Sequence, residues 1–89
     1  MVISDQKLSV GAGAVATLTV PAGARSCWLQ ADGGNVRYRM TGDDPTASVG
    51  MILYDNAAPT PVNVPDFDLN DLRFISESGT VALEVTFFG

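Results

Sequence analysis

The sequence predicts a small all-β domain, an antiparallel β-sandwich of seven or eight short strands. Apolar residues recur at every second position along most of the chain, which is the spacing of a strand with one buried face. Glycine, proline, asparagine and aspartate interrupt these runs at short intervals, as is typical of antiparallel sandwiches and barrels. No segment has the apolar spacing of an amphipathic helix of ordinary length. The 89 residues fit one domain, 1–89, and a jelly roll is one two-sheet arrangement that this number of strands allows.

The first predicted strands lie near the N-terminus. Residues 1–6 are expected to form an extended arm, followed by strands over Lys7–Val10 and Ala14–Val20. The first strand ends at Gly11-Ala12-Gly13. Pro21-Ala22-Gly23 forms the next turn, because proline presets φ and glycine accepts the left-handed conformation.

A hairpin is predicted in the middle of the chain. Arg25–Asp32 and Val36–Met40 both alternate, and Gly33-Gly34-Asn35 lies between them. Glycine and asparagine accept the positive φ values of a two-stranded turn. We therefore expect these two strands to pair with each other.

The second half of the chain is predicted to hold shorter strands and longer turns. The expected elements are a polar turn at Thr41–Ala47, a strand at Ser48–Tyr54, a loop at Asp55–Pro61, a brief extended piece at Val62–Val64 and an acidic turn at Asp66–Asp71. Pro65 excludes the piece before it from a central strand, because proline cannot donate to the ladder. A second hairpin is predicted from Leu72–Glu77 to Thr80–Phe88 across Ser78-Gly79. At most one helical turn fits, at Asn70-Asp71-Leu72.

Composition argues against several classes of function. Ten acidic and five basic residues give a net charge of −5, which disfavours binding to nucleic acid. No apolar run reaches the roughly 18 residues of a membrane span, and the first residues lack the features of a signal peptide. Cys27 is the only cysteine, so no internal disulfide can form, which fits synthesis in a reducing cytoplasm.

The residues also argue against an enzyme. There is no histidine to activate a serine or Cys27 as a nucleophile. Asp43 and Asp44 lie in one predicted turn, whereas a pair of catalytic carboxylates would flank a cleft. The sequence predicts neither catalysis nor a cofactor.

Trp28 is the first candidate for a contact surface. It is out of phase with Cys27, Leu29 and Ala31, so it lies on the outer face if those three face the core. Exposed tryptophan is enriched at interface hot spots. The alternative is that the strand faces the other way and Trp28 is in the core.

Arg37 and Arg39 are the second candidate. They share one face of the predicted strand, in a chain with few basic residues. They could bind carboxylates of a neighbouring subunit. The alternative is a solvated face with local ion pairs to Asp32, Asp43 or Asp44, each worth about 0–1 kcal/mol.

An acidic segment is a weak candidate for a metal site. Asp66, Asp68 and Asn70 place oxygen ligands at alternate positions, as the first half of a calcium loop does. The glycine of the sharp turn and the closing glutamate are missing. Such turns are also common because these side chains bond their own backbone, so we predict no metal.

Four stretches together resemble small structural proteins encoded among the virion genes of tailed bacteriophages. The most specific part is Val36-Arg37-Tyr38-Arg39 followed, after a polar turn, by Pro45-Thr46-Ala47, and the resemblance runs from about residue 7 to the end. The stretches are Ala14–Gly23, Trp28–Arg39, Asp44–Met51 and Leu72–Ile75 with the closing strand Val81–Phe87.

The resemblance implies a protein present in many copies on the particle. It implies a capsid decoration or cement protein on the outer capsid surface, with the major capsid protein and copies of itself as partners and no nucleic acid or membrane contact. A tail, connector or fibre component is the alternative within this class. A carbohydrate-binding module is the alternative from another class, with Trp28, Tyr38 and Tyr54 as an aromatic platform.

Overall fold

Strands form nearly half of the protein. The computed structural model describes residues 1–89 and contains eight strands and a one-turn 3-10 helix at Leu69–Asp71. The strands are β1 (Val2–Val10), β2 (Ala16–Thr17), β3 (Ser26–Asp32), β4 (Val36–Arg39), β5 (Met51–Leu53), β6 (Thr60–Val62), β7 (Arg73–Ser76) and β8 (Val81–Phe88). The structure contains no helix with the length and hydropathy of a membrane span.

The strands form two four-stranded antiparallel sheets. The first sheet has the order β1-β8-β3-β6, and the second has the order β2-β7-β4-β5. The chain therefore behaves as one long ribbon in which β1 pairs with β8, β2 with β7, β3 with β6 and β4 with β5. Rolling this ribbon brings β3 beside β8 and β4 beside β7. This is the strand order of a jelly roll, and it confirms the predicted sandwich.

The core lies between the two sheets. Its residues come from alternate positions of the strands, as predicted: Cys27, Leu29 and Ala31 of β3, Val36 and Tyr38 of β4, Phe74 of β7, and Val81, Leu83, Val85 and Phe87 of β8. Alternation places these side chains on one face of each strand. The outer faces of both sheets are left to the other set of residues, and these carry the candidate functional side chains.

Both predicted hairpins are wrong. β3 belongs to the first sheet and β4 to the second, so Gly33-Gly34-Asn35 crosses between sheets. β7 and β8, on either side of Ser78-Gly79, are separated in the same way. Alternation cannot distinguish a hairpin from a crossover to the other sheet. A strand with one buried face has the same apolar pattern in both cases. A Cβ at Gly34 would lie 2.8 Å from Val81 Cγ2, so glycine here allows a close crossing of the chain.

Several predicted boundaries also move. Val2–Gln6 do not extend away as an arm, because they form the first half of β1 and pair with β8. The strand predicted at Ala14–Val20 is reduced to Ala16–Thr17, and the strand at Ser48–Tyr54 to Met51–Leu53. The extended piece lies at Thr60–Val62, at the edge of the first sheet, where Pro61 is tolerated because the outer edge needs no donor.

Cys27 gives a direct measure of how tightly this core is closed. Its side chain is fully buried, and this burial raises the pKa of the thiol to about 11. Because the thiolate is the reactive form, we expect the native protein to react with a thiol reagent such as Ellman's reagent only as fast as it unfolds. The same reagent should react at once in denaturant. Rapid labelling of the native protein would show that the first sheet opens locally.

Candidate functional site

Trp28 lies on the outer face of the first sheet. The structure confirms the predicted facing of β3, because Cys27, Leu29 and Ala31 are buried and Trp28 is 50% exposed. The cross-strand neighbours of Trp28 are Thr86 of β8 and Pro61 of β6. The indole ring packs against the ring of Phe88, with centroids 5.8 Å apart and planes tilted by 53°.

An irregularity in β1 adds a further apolar side chain to this face. The register with β8 shifts between Val2 and Ser4, so that Val2 is opposite Phe88 while Ser4 is opposite the buried Phe87. A bulge of this kind redirects the side chains on one side of it. Val2 is consequently 61% exposed beside Phe88. We call Trp28, Phe88, Val2 and Pro61 the Trp28 patch.

Polar side chains border the Trp28 patch. Thr86 Oγ1 donates a hydrogen bond to Asp5 Oδ1 at 2.9 Å, and Gln30 Nε2 donates one to the carbonyl of Ala57 at 2.8 Å. Glu84 lies one row further along the sheet, 4.0 Å from Lys7 Nζ. An apolar centre with a polar rim is the usual anatomy of a protein interface.

Arg37 lies on the outer face of the second sheet and is bound within the chain. Its Nε donates to Glu77 Oε2 at 2.7 Å, and its Nη1 donates to the carbonyl of Gly50 at 3.0 Å. Only 21% of the side chain is exposed. The partner of Arg37 is therefore Glu77, 40 residues away, and none of the aspartates near it in sequence.

Glu77 belongs to a hydrogen-bond network that ties three loops together. Asn35 Nδ2 donates to Glu77 Oε1 at 3.1 Å, and the backbone N–H of Glu77 donates to the carbonyl of Asn35. The N–H of Asp55 donates to Asn35 Oδ1 at 2.9 Å, and the N–H of Gly33 donates to Asp55 Oδ1 at 2.9 Å. Arg37 binds Glu77 and Gly50 directly, and through Glu77 it joins the network that ties together the loops following β3, β5 and β7, which is a structural role.

The sequence offered little sign of this network. The sequence pattern predicts a turn at Asn35 and gives no functional signal at Glu77. Glu77 follows β7, the strand adjacent to that of Arg37, but the two residues are 40 positions apart in the chain. Such a contact has no sequence signature, because it depends on the pairing of β4 with β7. The polar side chains at the ends of β3, β5 and β7 were the only available signal.

The pH dependence of folding provides a test of the Arg37–Glu77 contact. The hydrogen bond from Arg37, assisted by that from Asn35, lowers the pKa of Glu77 below its usual value of 4.5. A carboxyl with a lowered pKa stabilises the fold at neutral pH and loses this contribution as the pH falls through the lowered value. We therefore expect Glu77→Gln to destabilise the protein at pH 7 and to show a smaller deficit at pH 3, which is below the usual pKa of 4.5.

Urea unfolding at both pH values measures this effect, and Arg37→Gln serves as the matched variant. The double variant should lose less than the sum of the two single variants, because both remove the shared Arg37–Glu77 contact. A deficit of Glu77→Gln that is equal at pH 7 and pH 3 would contradict the assignment.

Arg39 lies opposite an arginine that sequence reasoning missed. Arg39 of β4 is in register with Arg73 of β7 on the outer face of the second sheet. Like charges directly opposite each other are unfavourable in a sheet. Asp43 Oδ2 lies 3.7 Å from Arg39 Nη2, and the carbonyl of Asn70 accepts a hydrogen bond from Arg73 Nη1 at 3.4 Å. The Arg39–Arg73 pair is thus a basic surface on the sheet face opposite to the Trp28 patch.

The predicted aromatic platform does not form. Tyr38 points into the core, with its ring centroid 6.3 Å from that of Phe74, and its burial raises the pKa of the phenol. Trp28 lies on the outer face of the other sheet, and Tyr54 is exposed just after β5. Tyr38 is in phase with the buried Val36 along β4, so its core position follows from the alternation of the strand.

The acidic segment has a local structural role. Asp68 Oδ1 accepts hydrogen bonds of 2.9 Å from both the backbone N–H and the side-chain Nδ2 of Asn70. Asp68 is the N-cap of the 3-10 helix, as aspartate often is. Asp66 has a φ of 60°, in the left-handed region, and shapes the turn before the helix. These three residues are thus engaged in a turn and a cap.

Comparison with protein-family models, curated protein sequences and solved structures finds no significant match to this chain. The candidate surfaces are therefore inferred from the residues of this chain alone. The structure separates the residues that the sequence singled out. Trp28 lies on one outer face, Arg39 lies on the other, and Arg37 is bound within the chain.

Proposed function

We propose that this chain is a non-enzymatic structural protein of a tailed-bacteriophage virion. In this proposal it decorates the outer surface of the capsid and stabilises the lattice of the major capsid protein. The Trp28 patch is the surface that binds the lattice. The observation that supports this proposal best is the half-exposed Trp28 packed on Phe88 within a polar rim.

The Trp28 patch has the composition of a binding hot spot. Tryptophan contributes a large rigid area at little cost in conformational entropy, and it dominates the energy of many interfaces. Val2, Phe88 and Pro61 extend the apolar area on both sides of the indole along adjacent strands. Asp5, Glu84 and Asp32 lie on the same sheet face against a single lysine, so the complementary surface on the capsid would carry basic residues.

The positions of the groups with shifted pKa values support a non-catalytic role. Burial in the core explains the shifts of Cys27 and Tyr38, and the hydrogen bond from Arg37 explains that of Glu77. Perturbed groups are often the mark of an active site when they converge in a cleft. Here each one has a structural partner or a place in the core.

The jelly-roll fold is compatible with a capsid role, but it does not distinguish that role from carbohydrate binding. Jelly rolls occur in viral capsid domains and also in lectin domains. Function is carried by the site and by the resemblance of the sequence to virion structural proteins. The assignment to the capsid surface, ahead of a tail, connector or fibre, follows from that resemblance.

The composition of the particle tests this proposal. Quantitative mass spectrometry of purified virions should find the chain at a copy number similar to that of the major capsid protein. A copy number many times lower would place it in a tail, connector or fibre. Its absence from the particle, together with binding to a glycan array that is lost in Trp28→Ala, would replace the proposal with a carbohydrate-binding role.

A further inference from the structure

The four sheet edges of this domain differ in length. β2 has two residues, and β5 and β6 have three each, with Pro61 inside β6. β1 also lies at an edge, yet it has nine residues and contains neither proline nor glycine. Natural proteins usually keep exposed edge strands short or block them, because an open edge is a template for another strand. β1 is the one long edge of this fold.

The backbone groups on the outer side of β1 are open to a further strand, and the one contact beside them is made by a side chain, because Gln6 Oε1 accepts a hydrogen bond from the backbone N–H of Thr19 at 3.1 Å. β1 pairs with β8 along its whole length, and none of the backbone hydrogen bonds outside the strand ladders reaches residues 2–10. In an antiparallel ladder, alternate residues direct their N–H and C=O groups to opposite sides of the strand. Every second residue of β1 therefore presents both groups to the open edge.

We infer that β1 pairs with β1 of a second copy of this chain, antiparallel and with the two-fold axis at Gln6. In this register, Asp5 of each copy lies opposite Lys7 of the other. Both side chains are exposed on the outer face of the first sheet, and Lys7 is the only lysine of the chain. The pairing would therefore create two equivalent contacts between opposite charges, as a self-complementary two-fold interface requires.

The neighbouring registers are less favourable. An axis at Asp5 places the two Asp5 carboxylates opposite each other, and an axis at Lys7 does the same with the two ammonium groups. Like charges directly opposite are destabilising. An axis between two residues sets the outer face of one copy against the inner face of the other, because side chains alternate with period two. The irregularity between Val2 and Ser4 disfavours registers centred nearer the N-terminus.

The pairing joins the two first sheets into one sheet of eight strands. Both Trp28 patches then lie on the same face, and the two Trp28 residues are separated by five strand spacings, or roughly 24 Å. This interface depends on β1 alone and does not depend on the proposed virion function. If that function holds, each dimer binds the lattice through two anchors.

The oligomeric state of charge variants tests the register. Sedimentation equilibrium should show a dimer for the parent chain. For Lys7→Asp the dimer should be roughly 10- to 100-fold weaker, because both cross-strand contacts become repulsive. The double variant Asp5→Lys with Lys7→Asp exchanges the charges and should restore the dimer. Thermal unfolding of each variant checks that the domain is intact.

A crosslink tests the position of the axis independently. The axis places position 6 opposite itself, so Gln6→Cys should form a covalent dimer on mild oxidation. Ser9→Cys should not, because positions 9 of the two copies lie about 20 Å apart in this register. Cys27 is fully buried and should not form a crosslink. A monomeric parent, a charge exchange that fails to restore the dimer, or faster crosslinking through position 9 would each overturn the inference.

Discussion

Replacing Trp28 with alanine is expected to weaken binding to the capsid by about 2–4 kcal/mol, or roughly 30- to 1,000-fold. The indole is the largest exposed side chain of the Trp28 patch and would be buried in the contact. The isolated domain should lose only about 1 kcal/mol, because the ring is half exposed and its main intramolecular partner is Phe88. Sedimentation of the purified chain with capsids that lack it measures the affinity.

Tyr54→Ala is the matched control for this experiment. Tyr54 is also an exposed aromatic residue, but it lies outside the Trp28 patch, so its loss should leave the affinity unchanged. The double variant Arg39→Ala with Arg73→Ala tests the opposite sheet face. Normal binding by Trp28→Ala together with weak binding by the double arginine variant would move the contact to the second sheet.

Replacing Phe74 with alanine is expected to cost about 3–5 kcal/mol of folding free energy. Phe74 is fully buried in β7, a central strand of the second sheet, between Ala16 of β2 and Tyr38 of β4. A domain of 89 residues has a total stability of roughly 4–13 kcal/mol. The loss is therefore roughly a quarter or more of the total stability, and at the low end of that range it unfolds the domain at room temperature.

Urea unfolding followed by circular dichroism measures this loss. Phe74→Leu keeps an apolar side chain at the position and should lose less than half as much, because the cavity it leaves is smaller. A loss below about 1 kcal/mol for Phe74→Ala, as found for surface substitutions, would contradict the placement of this ring in the core.

Sequence alternation predicted which side chains of a strand face inward. In β3 it separated Cys27, Leu29 and Ala31 from Trp28, and the structure confirms this division. The reason is physical: a sheet with one buried face requires apolar residues at every second position. The same pattern failed at the start of β5, where Met51 is exposed although it is in phase with the buried Leu53.

The connections between strands could not be predicted in the same way. Gly33-Gly34-Asn35 reads as a tight hairpin, yet it carries the chain from one sheet to the other. Strands facing a common core have the same apolar pattern in either sheet, so the pattern does not record pairing. The partner of Arg37 was hidden for the same reason, because Glu77 reaches it only once β4 and β7 lie side by side.

We propose that the chain sits on the outside of a capsid and binds it through the first sheet. A cryo-EM map of the intact particle, at a resolution that shows strands, tests this claim most directly. We predict density for this jelly roll on the outer capsid surface, with Trp28 and Phe88 against the major capsid protein. Density for the chain only in the tail, or a capsid contact made by the second sheet with Trp28 facing solvent, would contradict it.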